Sequence, residues 1–153
     1  LSSVQGSGCV VDNGKNIIYG IAPGTTAQQM TSQYIQLGGS YTMEYSSTVM
    51  GAGTTVTVFE NTAKSAGTAV AVFTVIIFGD VNGDGNIDTA DAGIIIDYEN
   101  FLIFLDPVAD SARLAAADLN DDGNVDTMDA GLIVDVENFL LAVDQSTGLT
   151  MPV

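Results

Sequence analysis

A duplicated segment constrains this chain more than any other feature. Residues 80–103 read DVNGDGNIDTADAGIIIDYENFLI, and residues 118–141 read DLNDDGNVDTMDAGLIVDVENFLL. The two are offset by 38, and 16 of the 24 aligned positions are identical. Most of the others exchange one apolar residue for another. Both copies open on the pattern D-x-N-x-D-G-x5-D, which sets an oxygen-bearing side chain at nearly every second position of a twelve-residue loop. Asp, Asn and Gly also favour ordinary solvated turns. Two full patterns at a fixed offset are hard to obtain from that preference alone.

The spacing has a chemical reading. Ca²⁺ is a hard cation that takes six to eight oxygens at about 2.3–2.6 Å. A loop presenting oxygens at positions 1, 3, 5, 7, 9 and 12 can wrap such an ion, as the calcium loop of an EF-hand does. In the first loop these positions are Asp80, Asn82, Asp84, Asn86, Asp88 and Asp91. In the second they are Asp118, Asn120, Asp122, Asn124, Asp126 and Asp129. Asn86 and Asn124 are expected to offer backbone carbonyls, and Asp88 and Asp126 to act directly or through a water. Gly85 and Gly123 stand where the loop turns sharply and needs backbone freedom. Ile87 and Val125 are apolar, as expected where paired loops meet. The last ligand is Asp rather than the usual Glu, so the following helix must begin closer to the ion. Mg²⁺ fits less well, because it prefers a smaller octahedral site that keeps its waters.

Charge follows the repeat. Residues 1–78 hold three carboxylates against Lys15 and Lys64, a net of −1; residues 79–153 hold 16 carboxylates against Arg113, a net of −15. Nine carboxylates lie inside the two loops and eight of those are candidate ligands, so two bound Ca²⁺ would bring the formal −16 to −12. Three cations cannot build a basic patch, which argues against nucleic acid and an anionic membrane as partners. The absence of His excludes a Ser-His-Asp triad and His-ligated zinc. Cys9 alone can form no internal disulfide. No apolar run is long enough to span a membrane. Leu1 is not an initiator Met, so the chain reads as a processed piece or an excised segment.

The charge break near Phe78-Gly79 suggests two modules. Over residues 1–78, the stretches Gly8–Asp12 and Lys15–Tyr19 flank an Asn-Gly hairpin signal. Thr25 stands three residues before Gln28 in a capping-box pattern, which predicts a short helix over about 26–35. Strands are expected at Tyr41–Tyr45, Thr54–Phe59 and Thr68–Phe78, the last buried on both faces. This order fits a small sheet crossed by one helix; an immunoglobulin-like sandwich is the alternative. No residue of this module carries evident chemistry. In the second module, helices are expected over about Thr89–Phe104, 107–117 and Thr127–Val143, with Asp106-Pro107 opening the middle one. The fold class expected is therefore a β-rich domain followed by an all-α domain of two calcium-binding loop–helix repeats with a linker helix.

The first loop is entered from Phe73–Phe78, which reads as a strand and leaves no entering helix. The run GDVNGDG, the missing helix and the near-twofold repeat together resemble a type I dockerin, over about residues 79–146. Residues 1–78 resemble, more distantly, the X-modules that accompany dockerins, and residues 147–153 read as a tail. The resemblance implies a calcium-dependent plug for a cohesin module, anchoring an extracellular enzyme or scaffold in a cellulosome- or amylosome-type complex. It implies no catalysis by this chain and a monomer when free. Carried over by position, the implied partner contacts are Thr89, Ala90, Ile94, Asp97, Tyr98 and Phe101, and Thr127, Met128, Leu132, Asp135, Val136 and Phe139. Many members carry Ser-Thr where this chain has Thr89-Ala90 and Thr127-Met128, and Lys-Arg where it has Ile96-Asp97 and Val134-Asp135. Its cohesin is therefore expected to differ and to offer a basic rim. The likeness of the repeats raises two binding modes related by a half-turn.

Residues 94–104 are apolar on more than one face, which suggests a partner surface or, competing with it, contact with the chain's own β-rich module. Gly93 and Gly131 each cost a helix about 1 kcal/mol relative to Ala, which close approach by some neighbour would offset. Two other function classes compete. A hydrolase with paired carboxylates would need acids that are not metal ligands. A calcium-stabilised spacer or adhesin would need no cohesin.

Overall fold

The computed structural model describes residues 1–61 and 67–153; Lys64, counted above among the cations, lies outside the described residues. The N-terminal half is built on one five-stranded sheet. Strand β1 (Ser2–Ser3) pairs with the later β4 (Ile35–Gln36), apart from that sheet. β2 (Val10–Asp12) and β3 (Ile17–Tyr19) form the expected antiparallel hairpin. Its turn is held by the Asp12 carboxylate, which accepts the N–H groups of Gly14 and Lys15 at 2.9 and 3.0 Å. The chain then runs through α1 (Ala27–Gln29) directly into a π-helical segment (Met30–Tyr34). β5 (Tyr41–Tyr45), β6 (Thr55–Glu60) and β7 (Ala69–Val75) follow.

The sheet order is β2-β3-β7-β6-β5. Only the β3–β7 pair is parallel, with Ile18 opposite Val75. Val56 and Val58 turn inward from β6 while Thr55 and Thr57 turn outward, as period-2 alternation requires. The core beneath the sheet holds Cys9, Ile18, Val56, Val58, Phe73 and Val75, and Met30 and Ile35 close it from the helical crossing. This is the arrangement of one sheet with a helix across it rather than a sandwich.

Two details of this module differ from expectation. The capping box is one residue later than read. The Thr26 hydroxyl accepts the Gln29 N–H at 3.2 Å, and the Gln29 side chain accepts the Thr26 N–H at 2.9 Å. Thr25 is buried and donates its hydroxyl to the Ala22 carbonyl at 2.6 Å. Strand β7 is not buried on both faces: Phe73 and Val75 point into the core, but Val70 and Val72 are exposed. The outer sheet face stays open at those two valines.

The second half carries α2 (Thr89–Glu99), α3 (Ser111–Ala117) and α4 (Thr127–Glu137). The expectation of an all-α second module is contradicted. After α4 the chain forms a β-hairpin, β8 (Leu141–Val143) against β9 (Thr150–Pro152). All three helices are shorter than predicted. α2 and α4 stop at Asn100 and Asn138, because Phe101 and Phe139 follow with φ of 58° each, a left-handed conformation that ends a helix. At α3, the Asp106 carboxylate accepts the N–H groups of Val108 and Ala109, both at 2.8 Å, in a turn, and the helix begins only at Ser111.

The halves share apolar contacts. Ala112 and Ala116 of α3 are buried together with Ala52 and Ile76, with Ile17, Tyr19 and Phe78 packed around them. The Gln145 amide grips Phe78 from the other end of the chain, accepting its N–H and donating to its carbonyl, both at 2.8 Å. Among the described residues, no helix is long and apolar enough to cross a membrane.

Candidate functional site

Each acidic loop feeds a helix through its own candidate ligands. Asp88 is the N-cap of α2 and accepts the Ala90 N–H, while Asp91 accepts the Asp88 N–H at 2.9 Å, a reciprocal capping box. Asp126 and Asp129 repeat this arrangement at α4. Asp91 also reaches back across its loop, where one carboxylate oxygen accepts the N–H groups of Val81 and Asn82 at 2.8 and 2.9 Å. Asp129 does the same with Leu119 and Asn120 at 2.9 and 3.3 Å. Position 12 thus ties the start of the loop to the start of the helix, and the short Asp side chain suits that task. Asp84 accepts from the Asn86 backbone, and the amides of Asn82 and Asn86 donate to it; Asp122, Asn120 and Asn124 match them in the second loop.

Each loop buries a carboxylate beside another. Asp80, Asp91 and Asp129 are all 0 % exposed. Burial pushes the Asp91 carboxyl up to about 6 against its backbone hydrogen bonds, and the neighbouring Asp80 charge raises it further. Burial likewise raises Asp80, with Asp84 adding to the rise, and raises Asp129, with Asp118 adding. Arg113 does not neutralise them. Its Nε donates to the Val81 carbonyl at 2.6 Å, and it pairs with Asp110 at 3.3 Å. Among the described residues, no three carboxylates converge on one point. The donor set of each loop also includes carboxamides and main-chain carbonyls, so it is mixed and wholly oxygen. Buried like charges with an oxygen-only surround fit a hard divalent cation.

Helices α2 and α4 lie together with opposite ends adjacent. The Thr89 hydroxyl of α2 bonds Glu137 at the end of α4, and the Thr127 hydroxyl of α4 bonds Glu99 at the end of α2. Ala92 and Ile95 face Ala130 and Ile133 in their shared core, with Ile94 and Leu132 partly buried against it. The candidate contact residues therefore fall into two similar ends. Thr89, Ala90 and Phe139 gather at one, and Thr127, Met128 and Phe101 at the other. Phe101 is 93 % exposed and Phe139 85 %. Asp97, Tyr98, Asp135 and Val136 are half-buried along the helices. Ile94 and Leu132 serve the interior more than the surface.

The described residues of the β-rich module do not cover this face. It meets the first loop and α3 instead, leaving Phe101, Leu102 and Phe104 exposed. Among the described residues, none outside their own helix turns comes within 4 Å of where a Cβ on Gly93 or Gly131 would stand. Sequence reasoning missed Glu99 and Glu137, the cross-repeat partners. Their shared place in the run Glu-Asn-Phe of both copies was the available signal.

Two oxygen-rich loops, each opening a helix and joined by a short third helix, make a paired loop–helix domain. Residues 78–135 match the family model of the dockerin type I domain. Type I dockerins are non-catalytic, calcium-binding modules that dock onto cohesins in cellulosomes. The match does not reach residues 1–77. No curated protein and no solved structure matches the chain.

Proposed function

We propose that this chain is an assembly module that binds a cohesin on an extracellular scaffold protein, with two Ca²⁺ ions holding its binding face together. The ligands are Asp80, Asn82, Asp84, Asn86, Asp88 and Asp91 for one ion, and Asp118, Asn120, Asp122, Asn124, Asp126 and Asp129 for the other. Its parent would be a polysaccharide-degrading enzyme or a scaffold. The observation that carries the reading is the pair of exposed phenylalanines. Phe101 and Phe139 hold the same left-handed backbone at equivalent ends of two helices that begin in the acidic loops. A bulky residue at positive φ costs about 1–2 kcal/mol, and large exposed aromatics are typical anchors of protein interfaces.

Bound Ca²⁺ would neutralise the loop carboxylates. The chain's own part is then positional. Asp91 and Asp129 fix each helix start to its loop, and the Thr–Glu pairs fix each helix end to the other helix. Capture from a panel of cohesins tests this reading. Binding to at least one cohesin in Ca²⁺, lost in chelator and weakened tenfold or more by F101A with F139A, is the expected result. Failure to bind any cohesin in Ca²⁺ would favour a spacer.

A further inference from the structure

The two acidic loops are nearly identical in sequence but not in surroundings. The first is covered by the β-rich module. The Ala52 N–H donates to Asp80 Oδ2 at 3.0 Å, and the Gly24 N–H donates to the Gly85 carbonyl at 2.7 Å. Glycines interlock across this junction. A Cβ on Gly51 would stand 2.1 Å from the Gly83 carbonyl oxygen, one on Gly83 2.7 Å from that of Ala52, and one on Gly85 2.6 Å from that of Met50. In the second loop, a Cβ on Gly123 would meet none of the described residues within 4 Å, and Asp121, Asp122, Gly123 and Asn124 are all exposed.

The same difference reaches the first ligand of each loop. Asp80 accepts four backbone donors, from Gly83, Asp84, Gly85 and Ala52. Asp118 accepts two, from Asp122 and Gly123. It also explains the one non-conservative exchange within the ligand run. Gly83 and Asp121 occupy the same loop position, with φ of 82° and 56°. The loop tolerates a side chain there, as Asp121 demonstrates; the docked module does not, because the Ala52 carbonyl fills the space.

We infer that the Met50–Ala52 turn of the β-rich module is a positioning element for the first metal loop. It holds Asp80 in its ligating place before the ion arrives, so the two sites are unequal, the first binding Ca²⁺ more tightly and releasing it more slowly. The inference rests on the proposed calcium loops. Outer contacts that orient a ligand are worth about 10–100-fold in metal affinity, and that range is the difference expected here.

The test is Ca²⁺ titration of the full chain against a competing indicator, with release into chelator followed in time. The wild type should show two classes differing at least tenfold, the tighter retained in D118A and lost in D80A. G51A acts from the module side without changing the loop. G83N acts from the loop side and is compared with D121N, so that the two loops carry the same residue. Both G51A and G83N should bring the tight site to the level of the other, while protection of the Cys9 thiol from alkylation reports that the β-rich core is still folded. Two equal sites in the wild type, or an undiminished difference in G51A with Cys9 protected, would overturn the inference. No Ca²⁺ binding at all would instead overturn the proposed function.

Discussion

Asp91 and Asp129 each do three things: they cap a helix, close a loop and stand among the candidate ligands. Removing them should therefore do more damage than removing a loop carboxylate that is exposed, such as Asp121. D91A combined with D129A is expected to lower helicity sharply by circular dichroism even in excess Ca²⁺, while D121A leaves it near wild type. Equal spectra for all three proteins would count against the assignment of position 12. A second residue-scale prediction concerns Cys9. Burial raises its thiol to about 11. A raised folded value means that the fold favours the protonated thiol, a contribution present below the ordinary thiol pKa and lost as pH rises through about 11. Alkylation at pH 8 should thus be slow in the native chain and fast in denaturant; rapid native labelling would show that the β-rich core is open.

At the scale of elements, α2 and α4 carry a testable oddity. Gly93 and Gly131 sit inside exposed helix surface with open space beside them, on the groove they share with Ile96 and Val134. G93A and G131A should each stabilise the free chain by about 1 kcal/mol, read as a raised denaturation midpoint. If the partner's surface lies close to this groove, the same changes weaken cohesin binding, so stability and affinity move in opposite directions. A loss of stability would mean that the helices pack more closely than the structure shows.

The starts of α2 and α4 were legible in the sequence because their signals are local, whereas Asp106 caps a turn and α3 begins only at Ser111. The Asn-Gly turn, the loop glycines and the Asp caps act within a few residues of themselves. The ends of α2 and α4 were not. Nothing about Phe101 or Phe139 advertises a left-handed backbone, so α2 and α4 were drawn too long, β8 was read as helix and β9 as tail. The capping box of α1 was misplaced by one residue, since Thr25 and Thr26 are chemically equivalent and only burial separates them. The two apolar faces of the 94–104 segment were visible as composition, but which face stays uncovered depends on where the β-rich module docks.

The whole molecule has a shape that neither half specifies alone. The β-rich module rests on the first loop and on α3, the C-terminal hairpin holds Phe78 through Gln145, and the phenylalanine ends of α2 and α4 remain free. The candidate metal ligands were chosen because a hard cation requires oxygens at a fixed spacing. The unequal cover of the two loops was not, because it depends on contacts between residues far apart in the chain. In this account the ions are part of the fold, since energy gained on binding metal becomes folding energy. The most direct measurement is helicity and bound calcium determined on one sample of the full chain, before and after chelation. The account predicts two Ca²⁺ per chain, a marked loss of helical signal in chelator and its recovery when Ca²⁺ is restored. No bound calcium, with full helicity unchanged in chelator, would contradict it.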